Sequence, residues 1–154
     1  MSEATAAAEG LSAAHSLEYA YRRSLGPVLG RFFTGLRDRE IVGVKTRTGR
    51  VLVPPAEYDP ETGEDVSDEF VTVGPGGTVE SWCWNDAPRR PHPLDHPFAF
   101  ALIKLDGADT SLLHVVDAGD RSKMKTGMRV VPRWADEPAG GIHDIACFVA
   151  EDAS

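Results

Sequence analysis

Apolar and polar positions sort this chain into two kinds of stretch. From Gly77 to Ala150, short runs rich in β-branched and aromatic residues alternate with turn residues. Such runs read as strands. Five are predicted: Gly77–Trp84, Pro97–Leu105, Thr110–Val116, Met128–Trp134 and Ile142–Val149. Asp106-Gly107-Ala108-Asp109 joins the second to the third as a hairpin turn, because glycine readily takes the positive φ that such turns need. A polar connection, Asp117 to Gly127, precedes the fourth, and Glu137-Pro138-Ala139-Gly140-Gly141 leads to the fifth. The gaps are irregular and no stretch between strands has the length of a crossover helix. That favours a small antiparallel barrel over a parallel sheet. Closure also removes the exposed edges that five apolar strands would present.

Ahead of the barrel the pattern changes period. Leu29, Phe32, Phe33 and Leu36 recur at i, i+3, i+4 and i+7, with Arg31, Thr34, Arg37 and Asp38 on the other side. This predicts a helix from Pro27 to about Arg39, with Pro27 suited to its first turn. By itself such a stripe packs on its own chain's core. Ile41–Val44, Arg50–Val53 and Phe70–Val73 then read as three short strands. Lys45-Thr46-Arg47-Thr48-Gly49 and Asp59-Pro60-Glu61-Thr62-Gly63 read as tight turns, and Pro54-Pro55 ends the middle strand, since proline cannot donate to a ladder. Residues 1 to about 14 are alanine-rich and read as frayed, and Leu17 to Leu25 as an irregular lead-in. The expected division is a segment 1–26, a helix 27–40, a ribbon 41–74, a barrel 75–150 and a tail 151–154.

The chain has 154 residues, enough for one domain with a small appendage. At 42% hydrophobic and 26% charged it has an ordinary globular composition. No apolar run approaches the roughly 20 residues of a membrane span, and Met1-Ser2-Glu3-Ala4-Thr5 has neither part of a signal peptide. A cytoplasmic protein is expected. Its two cysteines, Cys83 and Cys147, fall inside predicted strands and read as buried, reduced thiols. A formal charge of −8 argues against nucleic acid as a partner.

Three short strands with two tight turns bury little, and such units are usually pinned by a metal. Two turns each ending in glycine, Pro54-Pro55 between them, and a barrel opening Gly77-Thr78-Val79-x-Ser81-Trp82 resemble the zinc-ribbon/OB-fold, acyl-CoA-associated family known as domain of unknown function thirty-five. The resemblance spans roughly Pro27 to Val149 and includes Thr126-Gly127-Met128-x-Val130 before the fourth strand. It implies a mainly β fold: a leading helix, a rubredoxin-like ribbon and a five-stranded OB-fold barrel. Metal-binding members carry two Cys-x-x-Cys knuckles. Here those positions fall on Lys45 and Thr48, and on Asp59 and Thr62. Lys and Thr do not ligate zinc, and one Asp cannot complete a four-coordinate site. The expectation is a ribbon without zinc, held by Val51, Val53, Tyr58 and Phe70 packing on the barrel or a partner. Pro54, Pro55 and Pro60 would limit the entropy of its unfolded state.

No catalytic constellation is legible. His92, Asp95 and His96 share one proline-rich loop but have no converging ligands. His114 sits in an apolar strand, and His143-Asp144 has no nucleophile in a recognisable elbow. Trp82, Trp84 and Trp134 suit a barrel filling more than a base-stacking platform. Positive charge gathers at Arg121, Lys123, Lys125, Arg129 and Arg133. Arg89 and Arg90, in the first barrel loop, are the candidates for coenzyme A phosphates.

The resemblance implies a non-catalytic accessory subunit of a thiolase-fold enzyme, a thiolase or a thiolase-like aldolase of steroid or lipid breakdown. An acyl-CoA hydratase is a second kind of implied partner, and acyl-CoA a ligand of the complex. It also implies that Leu29, Phe32, Phe33 and Leu36 face that partner. The alternatives are a stand-alone acyl-CoA-binding module, a single-stranded nucleic-acid binder and, behind both, a hydratase or lyase using His114 or His143.

Overall fold

Glycine at two turns and proline at one helix start set the frame. The fold was obtained as a computed structural model, which describes residues 13–22 and 24–151. Helix α1, Gly26–Arg37, starts on Pro27 and ends where Asp38 and Arg39 donate their N–H groups back to its last carbonyls. Three short strands follow: β1 (Ile41–Lys45), β2 (Val51–Leu52) and β3 (Phe70–Val73), in the antiparallel order β2-β1-β3. Gly43 lets β2 approach β1, because a Cβ there would lie 2.7 Å from Val51 Cγ1 and 3.0 Å from the Leu52 carbonyl oxygen.

Five further strands close the barrel: β4 (Gly77–Asn85), β5 (Phe98–Leu105), β6 (Ser111–Val116), β7 (Arg129–Trp134) and β8 (Ile145–Ala150). Their order is β4-β5-β6-β8-β7. The barrel is not antiparallel throughout. β6 and β8 run parallel and share one ladder pair, Val116 with Phe148. The predicted fifth strand is also too long at its start, because Ile142–Asp144 forms a 3₁₀ turn.

One core joins barrel, sheet and helix. Phe32, Leu36, Ile41, Val51 and Val53 pack in the same cluster as Val79, Ile103, Val130, Ile145 and Phe148. Hydrogen bonds from the β5–β6 turn fasten the sheet: Val51 N–H donates to Asp109 Oδ2 (2.8 Å) and Val53 N–H to Thr110 Oγ1 (2.7 Å). The alternation of β4 is reset by a bulge between Val79 and Ser81. Trp82 and Trp84 therefore turn towards the core, as does Trp134 from β7, and Cys83 turns outward. Cys83 is thus exposed rather than buried, whereas Cys147 is buried, and both are free thiols.

Candidate docking face and seam

Strand register assembles an apolar patch on the outside of the barrel. Ser81, Leu102 and Leu113 lie in one cross-strand row of β4, β5 and β6. Cys83, Phe100 and Val115 form the next. Alternate residues of a strand share a face, so both rows lie on the outer side of the barrel, although Val115 is covered there in a small cluster with Phe98 and Cys147. Leu102 is 40% exposed and Leu113 61%. A shallow cleft of about 230 Å³ is lined by Ser81, Trp82, Cys83, Phe100, Leu102 and Leu113.

The face continues into the gap between β6 and β8. Ahead of Val116 and Phe148 the two strands stand apart, and a cleft of about 240 Å³ opens, walled by Phe100, Leu113, Val115, Ile142 and Ile145. His114 fills part of it. Its Nε2 lies 3.4 Å from the Ile142 carbonyl oxygen, its ring meets Phe148 edge-on, and its Nδ1 is buried without a partner. Burial pushes the His114 pKa down, against the Ile142 carbonyl, which favours the charged form.

The remaining histidines are tied down separately. His92 Nδ1 accepts the Arg89 N–H at 3.0 Å and meets Asn85 Nδ2 at 3.2 Å, and its ring packs edge-on against Phe98 and Phe100. His96 lies between Asp95 (3.2 Å) and Asp117 (3.3 Å). These bonds, Asp95 first, raise its pKa. His92 and His96 thus do not converge, and the described residues contain no His/Cys/Asp/Glu group suited to a metal ion. His143 and Asp144 do not form a dyad. Asp144 is buried and accepts the N–H groups of Ala139, Gly140 and Gly141. Its burial opposes ionisation, but those three bonds hold its pKa below the usual carboxylate value. Among the described residues no histidine bonds a Ser, Thr or Cys side chain.

Arg89 and Arg90 are exposed in the β4–β5 loop, whose Pro93 lines the cleft, and form no ion pair among the described residues. Arg121, Lys123 and Lys125 are likewise exposed, while Arg129 grips Asp106 through two bonds of 2.6 and 2.7 Å and also holds Glu151, and Arg133 meets Asp117.

The helix stripe divides. Phe32 and Leu36 are 1% and 0% exposed and belong to this chain's own core, so they are not a free partner surface. Leu29 and Phe33 stay half-exposed. For Phe32 and Leu36 this corrects the expectation taken from the resemblance and returns to what an amphipathic stripe does by default.

At the knuckles each position is otherwise engaged. Lys45 pairs with Glu69, Thr48 Oγ1 with Thr46 Oγ1 (2.8 Å), and Thr62 Oγ1 accepts the Glu64 N–H (3.3 Å). Asp59 is buried, and Arg50 Nη1 lies 3.8 Å from its Oδ1 and 2.8 Å from Glu61 Oε1. Val51 and Val53 pack on the barrel core, but Tyr58 is 58% exposed and does not. The exposed face could not be found by periodicity alone, because the β4 bulge and the parting of β6 from β8 leave no mark in the hydrophobic pattern.

Residues 70–135 match the family model of the ChsH2 C-terminal OB-fold domain. Among solved structures the chain resembles the "Ltp2-ChsH2(DUF35) aldolase" with a TM-score of 0.61 at 21% identity, covering 84% of this chain and 98% of that one. It also resembles a DUF35-family protein of unknown function from Sulfolobus solfataricus, with a TM-score of 0.57 at 24% identity over 70% of this chain and 77% of that one. No curated protein matches.

Proposed function

We propose that this chain, whose barrel is an OB-fold of the DUF35 type, is a non-catalytic accessory subunit of a thiolase-fold acyl-CoA enzyme, a thiolase or a thiolase-like aldolase of lipid or steroid breakdown. The carrying observation is the contiguous apolar face made by Phe100, Leu102, Leu113 and Ile142, beside histidines engaged one by one in structural contacts. A surface of this kind suits another protein better than a small polar substrate. The likeness to an aldolase complex supports a thiolase-like partner. The subunit would order the enzyme's surface near its acyl-CoA entrance, and the enzyme would supply the reacting groups.

Co-purification from the native cell tests this. A thiolase-fold protein should come with the chain, and mixing the two purified proteins should raise the enzyme's turnover of an acyl-CoA. Turnover of a thioester by the pure chain, or no association with such an enzyme, would refute it. One observation favours a second reading: Arg89 and Arg90, which form no ion pair among the described residues, stand in the loop that borders the cleft. Guanidinium groups there could hold coenzyme A phosphates. Calorimetric binding of a coenzyme A thioester to the isolated chain, lost in an Arg89→Ala, Arg90→Ala variant, would support that module.

A further inference from the structure

Two loops wall the cleft, and different chemistry fastens each. Ile142 and His143 belong to the β7–β8 loop, and Pro93 to the β4–β5 loop, residues 86–97. The first is clamped by Asp144, a buried carboxylate with three N–H donors, and its lowered pKa keeps that clamp charged near neutral pH. The second makes no backbone hydrogen bond to the barrel among the described residues. Its one backbone bond, from the His92 N–H to the Arg89 carbonyl, is internal. Side chains attach it instead. His92 and Leu94 pack beside Phe98, and His96 reaches Asp117 at the end of β6.

His96 is placed where a proton matters. Its Nδ1 lies 3.2 Å from Asp95 Oδ1 and its Nε2 3.3 Å from Asp117 Oδ2. Carboxylates only accept, and a neutral imidazole carries a single N–H, so only the imidazolium makes both contacts. A neutral ring keeps at most one, without the charge that strengthens it. Asp95 belongs to the loop itself and its side chain is fully exposed, so it ties the loop to nothing. Asp117 belongs to the barrel and is 15% exposed. It does not depend on His96. Arg133 of β7 reaches the same Oδ2 at 3.3 Å, and the Gly119 N–H donates to Oδ1 at 3.2 Å. Cys147 of β8 is buried near both, and burial pushes its thiol up, so it adds no charge near neutral pH. Loss of the His96 proton therefore loosens the loop and leaves the barrel's carboxylate paired.

We propose that the β4–β5 loop is a strap at the rim of the cleft, fastened to Asp117 by a proton on His96 and loosened, with Pro93, Arg89 and Arg90, when that proton leaves. The contacts with Asp95 and then Asp117 raise the His96 pKa above its ordinary 6.5. The strap is thus fast below that raised value and loosens as the pH rises through it. An ion pair this exposed supports a bias of about two- to fivefold between fastened and loose strap. The inference rests on the fold and not on the accessory role.

A nitroxide on the loop of the full chain tests it, with no partner present. In a Cys83→Ser background an Arg89→Cys variant takes the label, while Cys147 stays buried. Between about pH 6 and about pH 8.5, either side of the histidine range, the ratio of mobile to immobile signal should rise about two- to fivefold. Its midpoint should coincide with the His96 ring titration followed by NMR. His96→Gln should give the loose spectrum throughout, and His96→Lys, which keeps a positive charge, the fastened one. His96 is 46% exposed, so both variants should fold, which circular dichroism checks. A parent spectrum that ignores pH would overturn the proposal. So would a transition that survives in His96→Gln, which would pass the effect to another group such as His92.

Discussion

At residue scale, Asp59 in the second turn and Arg50 on the strand that leaves the first lie 3.8 Å apart as an ion pair. Asp59 Oδ1 accepts the Glu61 N–H at 2.9 Å while its side chain is buried beside the Arg50 guanidinium. Removing Asp59 leaves the Glu61 N–H without its acceptor, while Arg50 keeps Glu61 Oε1 at 2.8 Å. Arg50 keeps 29% of its side chain exposed, which softens the loss. Asp59→Ala should therefore cost about 1–3 kcal/mol, read from urea unfolding. An unchanged midpoint would show that the pair holds nothing. His114 sets a pH dependence of definite sign. Its pKa is lowered from 6.5 by burial, so the unfolded chain binds a proton that the folded chain refuses. Stability from this residue is complete above the unfolded pKa and falls as the pH drops below about 6.5. His96 works oppositely: its pKa is raised beside Asp95 and Asp117, and its contribution is lost as pH rises through the folded value. Denaturation midpoints between pH 7.5 and 5 should accordingly flatten in His114→Leu and steepen in His96→Ala.

At the scale of elements, α1 is held by one side only. Leu36 is fully buried against β1 and the barrel core. Leu36→Ala should cost about 2–5 kcal/mol, whereas Leu29→Ser on the half-exposed side should cost less than about 1 kcal/mol. Equal losses in chemical denaturation would contradict the assigned facing. The helix, the strands and the two glycine-ended turns were legible because each depends on local periodicity or on a residue with special backbone freedom. What the pattern could not tell was direction. The bulge at Val79/Ser81 swaps the parity of β4 and brings Cys83 out. The Ile142–Asp144 turn owes its form to Asp144 collecting three backbone N–H groups from the residues just before it, a local capping that a strand-like sequence conceals. The docking face was illegible for the same reason. It is made by cross-strand neighbours, not by sequence neighbours, and its seam exists because β6 and β8 meet in a single pair.

At the scale of the whole molecule the three-stranded sheet is the part expected to need a staple, since with a two-residue edge strand it buries little by itself. The sheet gains its stability by joining the barrel. Val51, Val53 and Val73 enter the common core, and the turn after β5 bonds both ends of β2. No described residue at the knuckles is left free for a cation, because Lys45, Thr48, Asp59 and Thr62 are each engaged with a neighbouring group. The fold should consequently be indifferent to chelation. Purified protein should carry far less than one zinc per chain by elemental analysis, and excess EDTA should shift its melting temperature by less than about 1 °C, well under the 2–8 °C that a single kcal/mol produces in domains of this range. Stoichiometric zinc, or a melting point that drops on chelation and returns with metal, would mean that a set of donors performs the stapling here assigned to the shared core.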